Sequence, residues 1–320
     1  MPKICVVLAT YNGAKYLSAM LDSLVGQTRP AESVIVVDDG SRDETVQVLR
    51  QYADRLPLQI FVSEKNQGHR AAFSRALTIA QQQLSPDDFI ALADQDDVWL
   101  PNKFEVLSKA LEREQDGRKP DLVFGDAQVI DGDGKIVAPS WRKLSRIPEH
   151  LSLRTLCTGF SNVTGCLSMF RTSLLDLVLP IPEDVYVHDQ WITLCAASRN
   201  DYAAVSDAVI QYRIHGNNAI GLGDKCTWSG RHELNLNWAK MLSKTALFES
   251  FPKKDQIFVQ TYIRYMEKKF NSYLIPQYLP WLYANSCALY PHIHNFWGKL
   301  NRVLFGIAGI PFAKRFMGKK

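Results

Sequence analysis

The sequence predicts an α/β fold whose first half is built on a mostly parallel sheet, and two observations predict it. Apolar, β-branched-rich runs alternate four times with segments of helical spacing before Pro120, and each run ends in a short polar turn. Parallel neighbours need a helix-length return path, so the alternation itself implies right-handed crossovers in an open sheet. Polar residues then collect along one sheet edge, where open α/β folds hold ligands.

Residues 4–9 are continuously apolar and read as a buried strand, followed by a helix over 15–25 with Tyr16, Leu17, Met20, Leu21 and Leu24 at helical spacing. The unit recurs as strand 33–37 and helix 44–52, strand 58–62 and helix 70–82, and strand 89–93 and helix 103–114. After Pro120 the rhythm changes. Residues 122–124 read as a short strand, 128–138 as a hairpin turning at 131–134, and 165–171 as a strand. A helical segment over 193–198, strands near 202–205 and 210–212, and helices over 233–251 and 255–273 complete the expectation. No internal repeat or low-complexity tract is present.

Composition excludes wholesale disorder, with 46% hydrophobic and 22% charged residues in 320. Charge is unevenly placed. Residues 268–320 hold eight basic residues and no Asp or Glu, so 29 basic and 33 acidic residues remain in 1–267. An acidic body and a basic tail result. The six cysteines (Cys5, Cys157, Cys166, Cys195, Cys226, Cys287) form no C-x-x-C pair, which favours free thiols in a reducing compartment. The first apolar run is too short for a signal peptide, and no run reaches the roughly 18–20 residues of a membrane-spanning helix.

Four strand-end turns carry the chemistry. In Asp94-Gln-Asp96-Asp97 the carboxylates repel one another unless a cation compensates, and hard oxygen ligands favour Mg²⁺ or Mn²⁺. Asp38-Asp39-Gly40-Ser41 places acids where ribose hydroxyls or a base N–H are commonly held. Thr10-Tyr11-Asn12-Gly13 lies where the first βα turn meets a nucleotide, and Asn66-Gln67-Gly68 ends the third strand. Neither G-x-G-x-x-G nor a Walker loop is present.

These turns, as Val7-Leu-Ala-Thr-Tyr-Asn-Gly, Val36-Val-Asp-Asp-Gly-Ser-Arg-Asp-Glu-Thr, Asn66-Gln-Gly-His-Arg-Ala-Ala and Ala93-Asp-Gln-Asp-Asp-Val-Trp-Leu-Pro-Asn-Lys, resemble the signature stretches of family 2 glycosyltransferases in order and spacing. The resemblance covers roughly residues 3–125. It implies the GT-A fold, a Rossmann-like mostly parallel sheet with a mixed acceptor-side region, here followed by C-terminal helices. It also implies a nucleotide-sugar donor, Mg²⁺ or Mn²⁺, and inversion at the anomeric carbon. Carried over, Thr10, Tyr11, Asn12, Asp38, Asp39, Asn66, Gly68 and Arg70 would line the nucleotide, with Asp94 near ribose, Asp96 on the metal and Asp97 beside it.

Asn162-Val-Thr-Gly-Cys, His188-Asp-Gln-Trp and Tyr212-Arg-Ile-His-Gly-Asn-Asn-Ala-Ile-Gly resemble a subgroup containing bacterial rhamnosyltransferases of surface polysaccharide. There the Asp of the second motif is the catalytic base, here Asp189; many relatives have Glu where this chain has His188. That resemblance points to dTDP-L-rhamnose and a saccharide or glycolipid acceptor in polysaccharide or lipopolysaccharide synthesis. A UDP-glucose, UDP-galactose or UDP-N-acetylhexosamine donor, or a non-catalytic nucleotide-sugar-binding module, are the alternatives.

Arg213 is a phosphate or loop contact, and His215 a metal ligand or a loop-ordering histidine. Gly216, Asn217, Asn218 and Gly221 suggest a lid closing over the donor. Asp126 is either a ligand contact or a turn carboxylate; Trp99 packs under its loop, and Trp191 packs or faces the acceptor. The expected organisation is a catalytic domain over 1–225, divided at 125, and a helical region over 226–320. Aromatic and basic residues from 291 onward suit an anionic membrane surface, so the expected location is cytoplasmic, peripheral on the cytoplasmic face of the bacterial inner membrane. No nucleic-acid module is recognisable, and the oligomeric state is unassigned.

Overall fold

The computed structural model describes residues 1–114, 117–199, 202–216 and 228–311. Its strands are β1 (Ile4–Thr10), β2 (Ser33–Asp38), β3 (Leu58–Val62), β4 (Phe89–Ala93), β5 (Val98–Trp99), β6 (Leu122–Ile130), β7 (Ile136–Ala138), β8 (Ser168–Arg171) and β9 (Tyr202–Arg213). They form one nine-stranded sheet in the order β3-β2-β1-β4-β8-β6-β9-β5, with β7 paired to β6. The alternating half behaves as its spacing predicts: β3, β2, β1 and β4 are parallel neighbours. Beyond β4 the sheet is mixed, because β8 runs antiparallel to both β4 and β6 while β6 and β9 are parallel.

Helices α1 (Ala14–Val25), α2 (Thr45–Gln51), α3 (His69–Gln83) and α4 (Lys103–Glu112) return the chain between the early strands. Each buries the apolar face that its sequence spacing defines, with Leu17, Met20, Leu21 and Leu24 inward on α1 and Ala72, Phe73, Ala76, Leu77 and Ala80 inward on α3. Short helices α5 (Trp141–Ser145), α6 (Leu153–Cys157) and α7 (Leu175–Val178) precede α8 (His188–Arg199).

Several expected elements are longer or broken, each for a local reason. The strands expected over 122–124 and 128–130 are one strand, β6, and those over 202–205 and 210–212 are one strand, β9. Their register shifts from Phe124↔Ala204 to Asp126↔Ala208, so extra β9 residues bulge out and the exposed Ser206 and Asp207 read as a break. Residues 165–167 are a 3₁₀ turn, and the strand starts at Ser168. Helix α8 starts at His188 rather than 193.

The chain divides into two compact units, the first holding 1–146, 163–181 and 185–222, the second 147–162, 182–184 and 223–320. The expected boundary at 225 falls outside the described residues. In the second unit, α6 and α9 (Trp228–Leu242) are followed by α10 (Ala246–Glu249), α11 (Lys253–Asn271), α12 (Leu279–Ala284), α13 (Ser286–Leu289) and α14 (Phe296–Gly306). The helix expected over 233–251 breaks at Thr245, whose hydroxyl caps α10 by accepting from Phe248 N–H at 3.2 Å. No described helix is long and apolar enough to cross a membrane.

Candidate active site

The polar turns after β1, β2, β3 and β4 converge as the topology requires, and they are stitched to one another. Asp38 is fully buried. Its carboxylate accepts from Thr10 Oγ1 at 2.8 Å and from the hydroxyl and N–H of Ser41 at 2.6 and 2.9 Å. Asp39, 3% exposed, accepts from Gly68 N–H at 2.7 Å and Gln67 N–H at 2.9 Å. Gly40 joins these turns because only a residue tolerating φ +77° fits there, and a Cβ would lie 3.1 Å from the Lys65 backbone. The Gln95 side chain ties the β4 turn to β1, exchanging hydrogen bonds with Tyr11 N–H (2.9 Å) and C=O (3.1 Å). Asn12, at φ 47°, accepts from Arg42 N–H at 2.8 Å.

These bonds separate the expected nucleotide residues. Tyr11, Asn12 and Asn66 are exposed, and Gly68 and Arg70 half-buried, at the open edge. Thr10 and Asp38 lie beneath it, 2% and 0% exposed, and hold the turn from inside.

The acids after β4 sit in unlike surroundings. Half-buried Asp96 Oδ2 lies 2.9 Å from His215 Nε2, and the His215 ring packs on Tyr16 at 5.0 Å between centroids. Asp97 turns inward, 1% exposed, its Oδ1 accepting from Arg213 N–H at 3.0 Å and its Oδ2 without a protein partner. Asp94, Asp97 and Cys166 bring their ligand atoms within 4.8 Å of one another. The expected metal set of Asp96, Asp97 and His215 is therefore divided: Asp96 and His215 meet, while Asp97 belongs to the buried cluster.

Burial, then the charges of Asp96 and Asp189, raises the Asp94 carboxyl to about 7; burial and the charges of Asp96 and Asp94 raise Asp97 as well. Lys103 lies under this cluster, fully buried, donating to Cys166 O at 2.7 Å with its Nζ 3.1 Å from the Trp99 ring centroid. Burial lowers its ammonium to about 7.

Asp189 stands in the first turn of α8, and its Oδ2 accepts from Gly165 N–H at 2.9 Å. Burial pushes its carboxyl up to about 6. A Cβ at Gly165 would sit tightly, 3.2 Å from His188 Nε2 and 3.5 Å from Asp189 Cβ. His188 is buried, stacked on Phe73 at 3.8 Å and edge-on to His69 at 6.0 Å. Burial holds it neutral, near 3.

Arg213 is buried, and its guanidinium donates to the carbonyls of Asp96 (2.8 Å), Asp131 (3.2 Å) and Gly132 (3.3 Å) and packs over Tyr16. These are loop contacts, one of the two alternatives expected for Arg213. Trp191 is 3% exposed and donates to Val178 O at 2.9 Å, which removes it as an acceptor platform. Trp99 packs edge-on to Phe104 under its loop. Asp126 lies within β6 rather than in a turn, and its carboxylate accepts from Ser140 Oγ and Arg142 N–H at the start of α5. Of the expected lid only Gly216 is described; Asn217, Asn218 and Gly221 lie outside the described residues. Sequence reasoning missed Lys103 and the Cys166 carbonyl it holds. The one available signal was a lysine six residues after the last Asp of the acidic strand-end motif.

An acidic strand-end cluster faced by a helix-borne carboxylate from the second half narrows the possibilities, and the sequence profile of Glycosyl transferase family 2 matches residues 5–179. The chain belongs to this family.

An uncharacterized glycosyltransferase of Nostoc sp. is 28% identical over 225 residues, spanning 68% of this chain and 66% of that protein. WfgD of Escherichia coli, named a UDP-Glc:α-D-GlcNAc-diphosphoundecaprenol β-1,3-glucosyltransferase, is 25% identical over 219 residues, 66% of this chain and 77% of its own. The chain spans about two thirds or less of several curated relatives it matches. Among solved structures, S. aureus TarS 1–349 in complex with UDP-GlcNAc aligns with a TM-score of 0.59 at 20% identity, over 90% of this chain and 81% of TarS 1–349. The mannosyltransferase PcManGT of Pyrobaculum calidifontis, in complex with GDP-Man and Mn²⁺, aligns with a TM-score of 0.51 at 17% identity, over 99% and 88%. The fold of this family 2 glycosyltransferase is GT-A.

Proposed function

We propose that this glycosyltransferase is metal-dependent and inverting, with Asp189 as the base that takes the acceptor hydroxyl proton. The observation that carries the reading is Asp189 itself. It is a half-buried carboxylate oriented by Gly165 N–H, raised to about 6, and near enough to Asp94 for its charge to raise that group too. A single displacement requires a base within about 2.6–3.2 Å of the attacking hydroxyl in the productive complex. A base whose pKa approaches working pH is both largely ionised and able to accept a proton. No covalent intermediate is needed, and Cys5, Cys157, Cys166 and Cys195 are buried, their thiols pushed up by burial, which suits none of them to nucleophilic work.

Asp96 and His215 fit a divalent cation, one carboxylate oxygen and one imidazole nitrogen meeting at the open edge. Mg²⁺ or Mn²⁺ held there supplies charge neutralisation for the departing nucleoside diphosphate. Tyr11, Asn12, Asp39, Asn66, Gly68, Arg70 and Asp94 form the nucleotide wall in this reading.

The donor is a pyrimidine nucleoside diphosphate hexose. The motifs of the second half support dTDP-L-rhamnose, and the acceptor is then a saccharide or glycolipid of bacterial surface polysaccharide or lipopolysaccharide. Similarity to WfgD, named for UDP-Glc, favours UDP-glucose as the second reading. The enzyme works at the cytoplasmic face of the inner membrane, where lipid-borne acceptors are built. A donor screen tests the whole proposal: divalent-dependent thermal shift and nucleoside diphosphate release across dTDP-, UDP- and GDP-sugars. Release from one pyrimidine donor only in the presence of metal is expected. A thermal shift without release under any acceptor mixture would leave a binding module instead.

A further inference from the structure

Helix α14 buries apolar residues on one side and exposes large apolar residues, interrupted by Asn301, on the other. Val303 and Gly306 face inward, with Gly306 O accepting from Tyr265 Oη at 2.9 Å. On the far side Trp297, Asn301, Leu304 and Phe305 share one stripe at i, i+4, i+7 and i+8. Trp297 is 76% exposed, Phe305 54% and Leu304 49%, and Phe296, 58% exposed, packs edge-on to Trp297. A solvated helix carries polar residues on that side. Exposed Arg302 flanks the stripe, and from 268 to 320 the chain has eight basic residues and no acidic one.

We propose that this outward stripe of α14 is a contact face for an anionic phospholipid surface. Tryptophan and phenylalanine beside arginine suit the boundary between headgroups and acyl chains, where an amphipathic helix lies in the plane of the membrane. Eleven residues are too few to span it. Uniform positive charge selects the occupant: two copies meeting here would press like-charged segments together, whereas acidic lipid complements them. The inference deepens the reading of the enzyme as one that serves lipid-borne acceptors, and for its biological sense it rests on that reading.

The test uses the full chain, sedimented with vesicles of phosphatidylcholine containing phosphatidylglycerol and with vesicles of phosphatidylcholine alone. Binding to the anionic vesicles, weakened by salt, is expected, and Trp297→Ser with Phe305→Ser should lower partitioning by about tenfold or more. Both side chains are exposed, so the thermal midpoint and nucleoside diphosphate release with a water-soluble acceptor should not change. Wild-type protein remaining in the supernatant overturns the proposal, as does unchanged partitioning of the double variant. A dimer that the double variant converts to monomer, without vesicle binding, assigns the face to a second copy. Loss of binding on removing 312–320, with the double variant still bound, assigns it to the tail instead. Release is read separately from sedimentation, so failure of the membrane face leaves the transferase reading standing, and the reverse.

Discussion

Asp189→Asn should separate stability from turnover. Burial raises the Asp189 carboxyl from its ordinary 3.8 to about 6. Its folded-state pKa lies above the unfolded value, so the stability associated with the neutral carboxyl is present below pH 3.8 and lost as pH rises through 6. At about 1.4 kcal/mol per pH unit, that loss is up to about 3 kcal/mol above pH 7. Water reaching a half-buried carboxylate lowers the figure to about 1–3 kcal/mol. Asparagine carries no charge at any of these pH values and keeps an oxygen for Gly165 N–H. The variant should therefore match wild type in urea melts near pH 4 and exceed it by about 1–3 kcal/mol at pH 8. Transfer, followed as nucleoside diphosphate release, should fall by roughly 10²–10⁴-fold, and wild-type kcat/KM should decline as pH drops through about 6. Wild-type turnover in the variant, or an unchanged stability difference between pH 4 and pH 8, would refute the assignment.

Three further outcomes test the neighbouring groups. Asp96→Ala should abolish divalent-dependent binding of UDP or dTDP in calorimetry, and unaltered metal-dependent binding would remove Asp96 from the metal site. Lys103→Met removes the hydrogen bond to Cys166 O and the amine that interacts with Asp97 and Asp94, and should cost about 1–3 kcal/mol; adding Asp97→Asn should restore part of it, and a simple sum of the two losses would show that the groups do not interact. Asp39→Asn replaces one of two acceptor oxygens facing the Gln67 and Gly68 N–H groups with a donor, at a cost of about 1–3 kcal/mol. Faster amide exchange confined to Gln67 and Gly68 is the signature; unchanged protection there would count against the bond.

The convergence of the four polar turns was legible because it is set locally. Each polar turn follows its own apolar strand, and parallel topology places all four turns at one end without reference to anything distant. Where partners are remote, the reading stopped. Lys103 and Cys166 are 63 residues apart, and Arg213 meets the Asp96 carbonyl across 117. Nothing in the residue type distinguishes an arginine held by three backbone carbonyls from one awaiting phosphate. Trp191 misleads similarly, since its indole N–H finds the carbonyl of Val178 in a segment with no motif. The bulged pairing of β6 with β9 hid two long strands, because bulge residues look like loop residues.

The acids of the edge divide by how fully the protein itself satisfies them. Asp38 and Asp39 each accept at least two hydrogen bonds from their own or neighbouring turns. What these bonds give the edge is fixed loop geometry. Asp94, Asp97 and Asp189 are pushed up, all three by burial and the first two also by neighbouring carboxylates, and Lys103 lies beneath that pair. A folded protein tolerates such strain where binding relieves it. A cation at Asp96 and a proton taken by Asp189 would both reduce negative charge around Asp94, whose carboxyl both neighbours raise. In the proposed mechanism, donor binding and catalysis would draw on the same electrostatic strain.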